Sequence, residues 1–354
     1  MYGSKPAGLS TMLTGGSFFT WRMTMEFTKP FLTYDEQADL LISRGMVADR
    51  DALVEHLQDV GYYRLSGYWR IFRNDDDTLR EGTTFERVWD LYVFDRQFRL
   101  VVLDAIERVE IYFRTQLSHM LARDTGAFGY LENSGLPRLG ARRYEQFMSR
   151  AENAFSRSRE PFAVHFREKY GDRHSMPPYW MFVNVIDFGI MLSMYKGASV
   201  DIRNELAAKV GVSARVLESW LVSLNTTRNI CAHHGRLWNR IAGTRPTIPN
   251  ERSDPRWHDP YEVEGRRVFA TLTILSYLLS YVAPNTSWRE RLFALLDSRS
   301  EYDLKQMGFS EGWQCCPFWE PWVPKSESDA DSEGLAGNGG CLGPIGRFLT
   351  GAGE

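Results

Sequence analysis

The sequence predicts an all-α protein, and three observations carry that expectation. Apolar residues recur at helical spacing in one stretch after another. Glycines and prolines punctuate the gaps between those stretches. Nowhere does the chain sustain the apolar–polar alternation of a half-buried strand. With 354 residues, 43% of them hydrophobic and 14% aromatic, it has enough apolar surface for a large core, in one big domain or two small ones.

Taken in order, residues 1–24 are rich in Gly, Ser and Thr and read as a loose leader. Gln37 to Arg44 and Asp51 to Val60 read as short helices stopped by Gly45 and Gly61. Tyr62 to Arg73 alternates aromatics with arginines, and Gly67 interrupts it, so it reads as a turn packed on the core. Thr83 with Glu86 forms a capping-box pattern that opens a helix running to about Arg123 and ending at Gly126. A helix of that length predicts a bend or break between Val93 and Leu100. Arg142 to Arg157 and Pro161 to Tyr170 are helical, and Pro177-Pro178 marks a break. Tyr179 to Lys196 is apolar nearly all round and predicts one buried helix at the centre, ended by Gly197. Ile202 to Val210 is a short helix, and Ser213 caps the next, whose Val216, Leu217, Trp220, Leu221 and Leu224 share a face. Arg236 to Pro260 holds four prolines and reads as an excursion over the surface. Glu262 to Val282 and Ser287 to Leu296 close the helical set. Residues 301–323 form a Trp- and Pro-rich extension, and 324–354 an acidic, low-complexity tail expected to be disordered.

Composition bounds the function. The formal charge is −3, and the tail from Lys325 supplies all of it, so no global basic field announces a nucleic-acid partner. Yet 35 of the 42 basic residues are Arg, the residue suited to bidentate phosphate contacts and to stacking. A GC-rich genome produces the same bias. Cys231, Cys315, Cys316 and Cys341 form no CxxC pair and no Cys/His metal spacing, which predicts no bound metal and suits a reducing cytoplasm. The N-terminus lacks the pattern of a signal peptide, and the most apolar run, Val268 to Ala283, is too short for a confident membrane span. No P-loop, Rossmann glycine pattern, HExxH or GxSxG occurs, so no nucleotide cofactor is expected.

Chemistry concentrates in Asn225 to Arg240, NTTRNICAHHGRLWNR. Continuing the Ser213 helix puts Asn229 and His233 four apart on one face. Arg228 lies five before His233, about 140° round an ideal helix, so its side chain must reach round or a partner must complete the site. Gly235 is the expected C′ terminator, leaving His233 and His234 in the last turn, where the helix dipole suits a proton-donating cation. The spacing alone decides nothing, since each of the seven His has an Arg five to seven positions upstream.

RNICAHHGRLWNR resembles the C-terminal signature of the Abi-like abortive-infection proteins of AbiD/AbiF type, a branch of the HEPN superfamily. KPFLTYDEQADLLISRGM from Lys29, VGYYRLSGYWRIFR from Val60 and FERVWDLYVFDRQFRLVVLDAIERVEIYFR from Phe85 resemble that family's other blocks, in the right order over residues 28 to 300. The resemblance divides the chain into an N-terminal helical part of the Abi-like domain (25–130) and a HEPN-type part carrying the Arg-x4-His signature (131–300). It implies a HEPN-type bundle with extra N-terminal helices, and a metal-independent endoribonuclease of anti-phage defence. It also implies a companion non-coding RNA in some members, and a homodimer whose two signatures meet in one composite site.

Metal-free RNA cleavage needs a base for the 2′-hydroxyl, a cation for the phosphorane and an acid for the leaving 5′-oxygen. His233 suits acid or base work, Arg228 the charged oxygens, and Asn229 the orientation of His233 or the helix end. Arg228 and His233 equally suit structural pairing with carboxylates. His234, Arg236, Trp238 and Arg240 are candidate RNA contacts, with Trp238 as readily a core anchor. Arg64, Tyr68 and Arg70 suit RNA stacking and phosphate contact, or an aromatic core corner. Arg114 and His119 repeat the spacing and are a possible second half-site; Arg114 also suits pairing with Glu110 four residues before it. Two other classes remain, a non-catalytic RNA-binding module and an adaptor that senses a phage component.

Overall fold

Thr33 opens the first helix as a true capping box: its hydroxyl accepts from the Glu36 N–H, and the Glu36 carboxylate accepts from the Thr33 N–H at 2.7 Å. That helix, α1 (Tyr34–Ser43), therefore starts three residues earlier than its apolar spacing suggested. In the computed structural model, which describes residues 28–319, α2 (Arg50–Val60) follows, capped by Asp49. These helices belong to a first compact unit of residues 28–64 and 72–85. It also holds isolated bridges between Val47 and Thr84 and between Arg73 and Leu79. Among the described residues every regular element is helical and no strand forms, so the chain is all-α. The loose leader and the acidic tail lie outside the described residues.

The stretch read as an aromatic turn is instead a helix, α3 (Tyr62–Trp69), closed by a 3-10 turn at Arg70–Phe72. Gly67 sits inside it without breaking it, because Leu65, Tyr68 and Trp69 bury one face and tertiary packing outweighs the weak helix propensity of one glycine.

The second unit comprises residues 65–71 and 86–319. Its spine is α4 (Phe85–Thr125), a single unbroken helix of 41 residues. The expected break does not occur. Val88, Leu91, Phe94, Phe98, Val102, Ile106, Val109, Phe113 and Leu117 keep helical spacing across the region and are all buried. Nor is Thr83 its cap: the helix starts after Thr84, and the Thr83 hydroxyl donates to the Arg80 carbonyl at 2.7 Å.

Beyond Gly126 come α5 (Ala141–Arg157) and α6 (Pro161–Tyr170). The segment read as one buried helix is two, α7 (Tyr179–Phe182) and α8 (Phe188–Gly197). Polar residues explain the break. Asn184 turns its amide back to the Trp180 carbonyl at 2.8 Å, and the Asp187 carboxylate accepts from the Ile190 N–H at 2.7 Å, starting a new helix. Then follow α9 (Val200–Ala208), α10 (Ala214–Ala232), α11 (Val268–Val282), α12 (Trp288–Leu296) and α13 (Glu301–Met307).

The central buried helix is α11 rather than residues 179–196. All residues from Val268 to Leu279 are buried, and its polar groups find partners inside: Ser276 donates to the Phe318 carbonyl at 2.7 Å and Tyr277 to that of Val210 at 2.8 Å. Trp313, Phe318 and Trp319 of the Trp-rich extension are buried too, so that extension belongs to the core. No helix among the described residues is long and apolar enough to cross a membrane.

Candidate active site

The site grows out of α10. Ser213 accepts from the Val216 N–H at 3.3 Å to start the helix, and Leu217, Trp220, Leu221, Leu224, Thr227 and Cys231 bury its inner face. Asn229, Ala232, His233 and His234 are consequently exposed, and Arg228 is half-buried at the edge. The helix ends at Ala232 with His233 as C-cap, its N–H bonded to the Asn229 carbonyl at 3.0 Å. The next residue differs from the expectation. His234, not Gly235, takes the left-handed position, with φ 58°, and the Gly235 N–H closes the turn on the Ile230 carbonyl at 2.8 Å. Gly235 is needed for closeness instead: a Cβ there would lie 3.2 Å from both the Ile230 carbonyl oxygen and its Cγ2. A left-handed non-glycine residue costs roughly 1–3 kcal/mol and persists only where its surroundings impose it.

Beyond the turn the chain is held by Asp95, fully buried on α4. Its carboxylate accepts from the Trp238 N–H at 2.7 Å, the Leu237 N–H at 3.2 Å and the Tyr68 hydroxyl at 2.6 Å, and pairs with the buried Arg99 at 2.5 Å. The chain leaving α10 is thus bolted to α4 two residues after the turn. Burial, opposed by those four donors, holds the Asp95 carboxyl above the usual range. Arg236 adds a second bolt, donating to the Gly67 carbonyl at 2.7 Å. Cys231 lies under the turn, its thiol pushed up to about 12 by burial and then by the negative Asp95.

Electrostatics separate the arginines. Arg228 makes no ion pair among the described residues; one guanidinium nitrogen lies 3.5 Å from the Asn229 side-chain oxygen. Burial pushes the Glu110 carboxyl on α4 up, and the charges of Arg114 and then Arg228 pull it back, which places Arg228 in that carboxylate's field. The His233 imidazole has no hydrogen-bond partner among the described residues. Arg228 and His233 thus share the last turns of α10, and they are residue types suited to a phosphate-oxygen contact and to proton transfer.

A family model described as Abi-like protein matches residues 55–239, more than half of the chain, and its match closes on the turn just described. The chain belongs to the Abi-like protein family. Membership suggests a part in abortive-infection defence. No curated protein and no solved structure matches it significantly.

In this Abi-like chain the remaining candidates scatter. Tyr68 and Trp238 are buried, the first on Asp95 and the second with its indole N–H 3.4 Å from the Asp303 carbonyl, so neither presents a face for an RNA base. Arg236 is occupied by Gly67, and burial lowers its guanidinium. Arg240 and Arg70 are exposed, and Arg64 is exposed in the first unit. Arg114 pairs with the buried Glu110, while His119 faces solvent. Arg236 to Pro260 runs largely exposed, as its sequence suggested, but it is anchored by buried residues. Trp238 and Trp257 are fully buried, and the Trp220 indole donates to the Thr247 carbonyl at 2.8 Å, stapling it to α10. No group of His, Cys, Asp or Glu among the described residues has the makings of a metal site.

Proposed function

We propose that this Abi-like chain is a metal-independent endoribonuclease of HEPN type acting in abortive-infection defence. The observation that carries the reading is the contrast among its arginines. Arg114 and Arg236 are committed to protein partners, whereas Arg228 makes no ion pair among the described residues and shares the end of α10 with an exposed His233. In the proposed reaction the 2′-oxygen loses its proton to a base and attacks the adjacent phosphorus. The bond to the 5′-oxygen breaks, and that oxygen takes a proton from an acid. The products are a 2′,3′-cyclic phosphate and a 5′-hydroxyl. Arg228 neutralises the non-bridging oxygens, and His233 moves one proton. The second proton needs a second group, and a two-fold dimer apposing the ends of two α10 helices supplies it.

RNA incubated with the chain in excess EDTA tests the reading. Wild type should cleave and His233→Ala should not, with both melting alike because an exposed C-cap carries little packing. RNA binding without cleavage, or cleavage that survives His233→Ala, refutes it.

A further inference from the structure

Away from the end of α10, the second unit carries two adjoining clefts. One, of about 500 Å³, is lined by Arg138, Arg203 and Arg215. The other, of about 770 Å³, is lined by Arg138, Arg143, Arg150 and Lys196. Arg138 lines both, so the two clefts meet at its side chain and make up one basic groove. Six cations face it against two acids, Glu145 and Glu218. Glu218 is already paired with Arg203, and Arg150 with Asp187 at 3.1 Å. Arg138, Arg143 and Arg215 are exposed and, like Lys196, make no ion pair among the described residues. In a chain whose overall charge is slightly negative, this is a concentrated positive field.

The groove has a fixed floor. The Arg138 N–H donates to the Gly197 carbonyl at the end of α8 at 3.0 Å. Gly197 permits that approach, since a Cβ there would meet the Leu139 side chain at 2.8 Å. Arg138 is therefore held at the junction of the two clefts. Toward α10, Thr244 lines both the first cleft and a shallow one bounded by Thr226, Ile230 and Arg240. Ile230 belongs to the last turn of α10, which His233 caps.

We propose that this groove holds the sugar–phosphate backbone of a single RNA strand and leads it to the C-terminal end of α10. The proposal rests on the preceding reading in taking RNA as the ligand, but not on cleavage. Five of the six cations are arginines, whose planar forks match phosphate oxygens. Asn204, Ser219 and Thr247 beside them are the short donors that contact phosphate and sugar. A continuous basic groove is how proteins follow a single strand without reading its sequence.

The test is fluorescence anisotropy of an unstructured oligoribonucleotide in EDTA, with His233→Ala throughout so that nothing is cleaved. Arg138, Arg143 and Arg215 are changed together to Gln. A control changes the exposed Arg157, Arg159 and Arg173, which line neither cleft, by the same charge. Each phosphate contact on a single strand contributes about −0.7 to the slope of log K against log salt. Three lost contacts should therefore flatten the slope by about 2 and weaken binding on the order of a hundredfold at about 0.1 M salt. The control should stay within a few-fold of the parent. Wild-type affinity and slope in the groove variant, or equal losses in both, would overturn the proposal. So would polyglutamate binding with the same arginine dependence and no RNA binding, which would assign the groove to an acidic protein partner. RNA held through the groove by a wild-type chain that never cleaves would refute the nuclease reading and leave this one standing. Unaltered RNA affinity in the groove variant of a chain that does cleave would do the reverse.

Discussion

Asp95→Asn is the most informative perturbation of the scaffold. Asparagine keeps the shape and one acceptor for the Leu237 and Trp238 N–H groups, but it removes the charge that faces Arg99. Arg99 is 4% exposed, and among the described residues its ion pair is with Asp95. Breaking a buried pair by removing one member costs roughly 3–5 kcal/mol, because the remaining charge stays desolvated. At about 2 °C per kcal/mol for a domain of this size, the melting temperature should fall by roughly 6–10 °C. Glu205→Gln provides the contrast. Its pair with Arg123 is about half exposed, and exposed pairs are worth about 0–1 kcal/mol, so that variant should melt within about 2 °C of wild type. Hydrogen exchange adds the local readout. In Asp95→Asn the amides of Leu237 and Trp238 should lose protection before those of Leu221 and Leu224, since the turn is released while the body of α10 stays packed. Equal melting of the two variants, or unchanged exchange at 237 and 238, would refute Asp95 as the bolt that holds the turn.

Other expectations can be checked alongside it. Arg228→Lys should fail to restore RNA cleavage in an Arg228 series, because a single ammonium cannot replace a planar fork; wild-type turnover in Arg228→Lys would count against a phosphate contact. Arg114→Ala should instead lower stability by about 1–3 kcal/mol by stripping the buried Glu110 of its partner. Glu110 is already raised from its ordinary 4.5, and losing Arg114 raises it further. A raised carboxyl contributes stability below its unfolded value and loses it as pH climbs through the folded one, so the deficit should widen with pH in chemical denaturation and close in acid. A deficit that grows in acid would contradict this. Cys231, with its thiol near 12, has a thiolate fraction on the order of 10⁻⁴ at about pH 8. Peptide-resolved alkylation should find it inert in the folded chain and reactive in guanidinium. His234→Gly should melt no lower than wild type, because glycine takes the left-handed backbone without strain; a drop of more than about 1 kcal/mol would mean the imidazole itself holds the turn.

Helical class and most boundaries were legible because helices announce themselves locally. Pro161 begins α6, Ser213 caps α10, and the apolar rows of α4 and α10 keep their period. Failures came where one local signal met a stronger tertiary one. Gly67 reads as a breaker, but three buried neighbours hold α3 together. Residues 179–196 read as one apolar helix because apolar content hides the capping role of Asp187. In the site, the helix that carries Arg228, Asn229 and His233 was readable from its apolar spacing and its Ser213 cap. The left-handed His234 was not, because Gly235 beside it is the residue that ordinarily takes that conformation. Asp95 was missed, although a signal existed. It stands on the apolar row between Leu91 and Phe98, where an acid is expensive to bury without partners, and Arg99 follows four residues later. Tyr68 and Trp238 were ambiguous because an aromatic beside arginines suits an RNA surface and a core corner equally. Only burial decides between them.

Product end-group analysis tests most directly whether Arg228 and His233 cleave RNA by 2′-hydroxyl attack. RNA treated with the wild-type chain in excess EDTA should yield fragments ending in 2′,3′-cyclic phosphate, with 5′-hydroxyl starts, when resolved by mass spectrometry. His233→Ala and Arg228→Ala, folded and still binding RNA, should yield none. Fragments bearing 3′-hydroxyl and 5′-phosphate ends, or cyclic-phosphate ends produced equally by His233→Ala, would contradict the account.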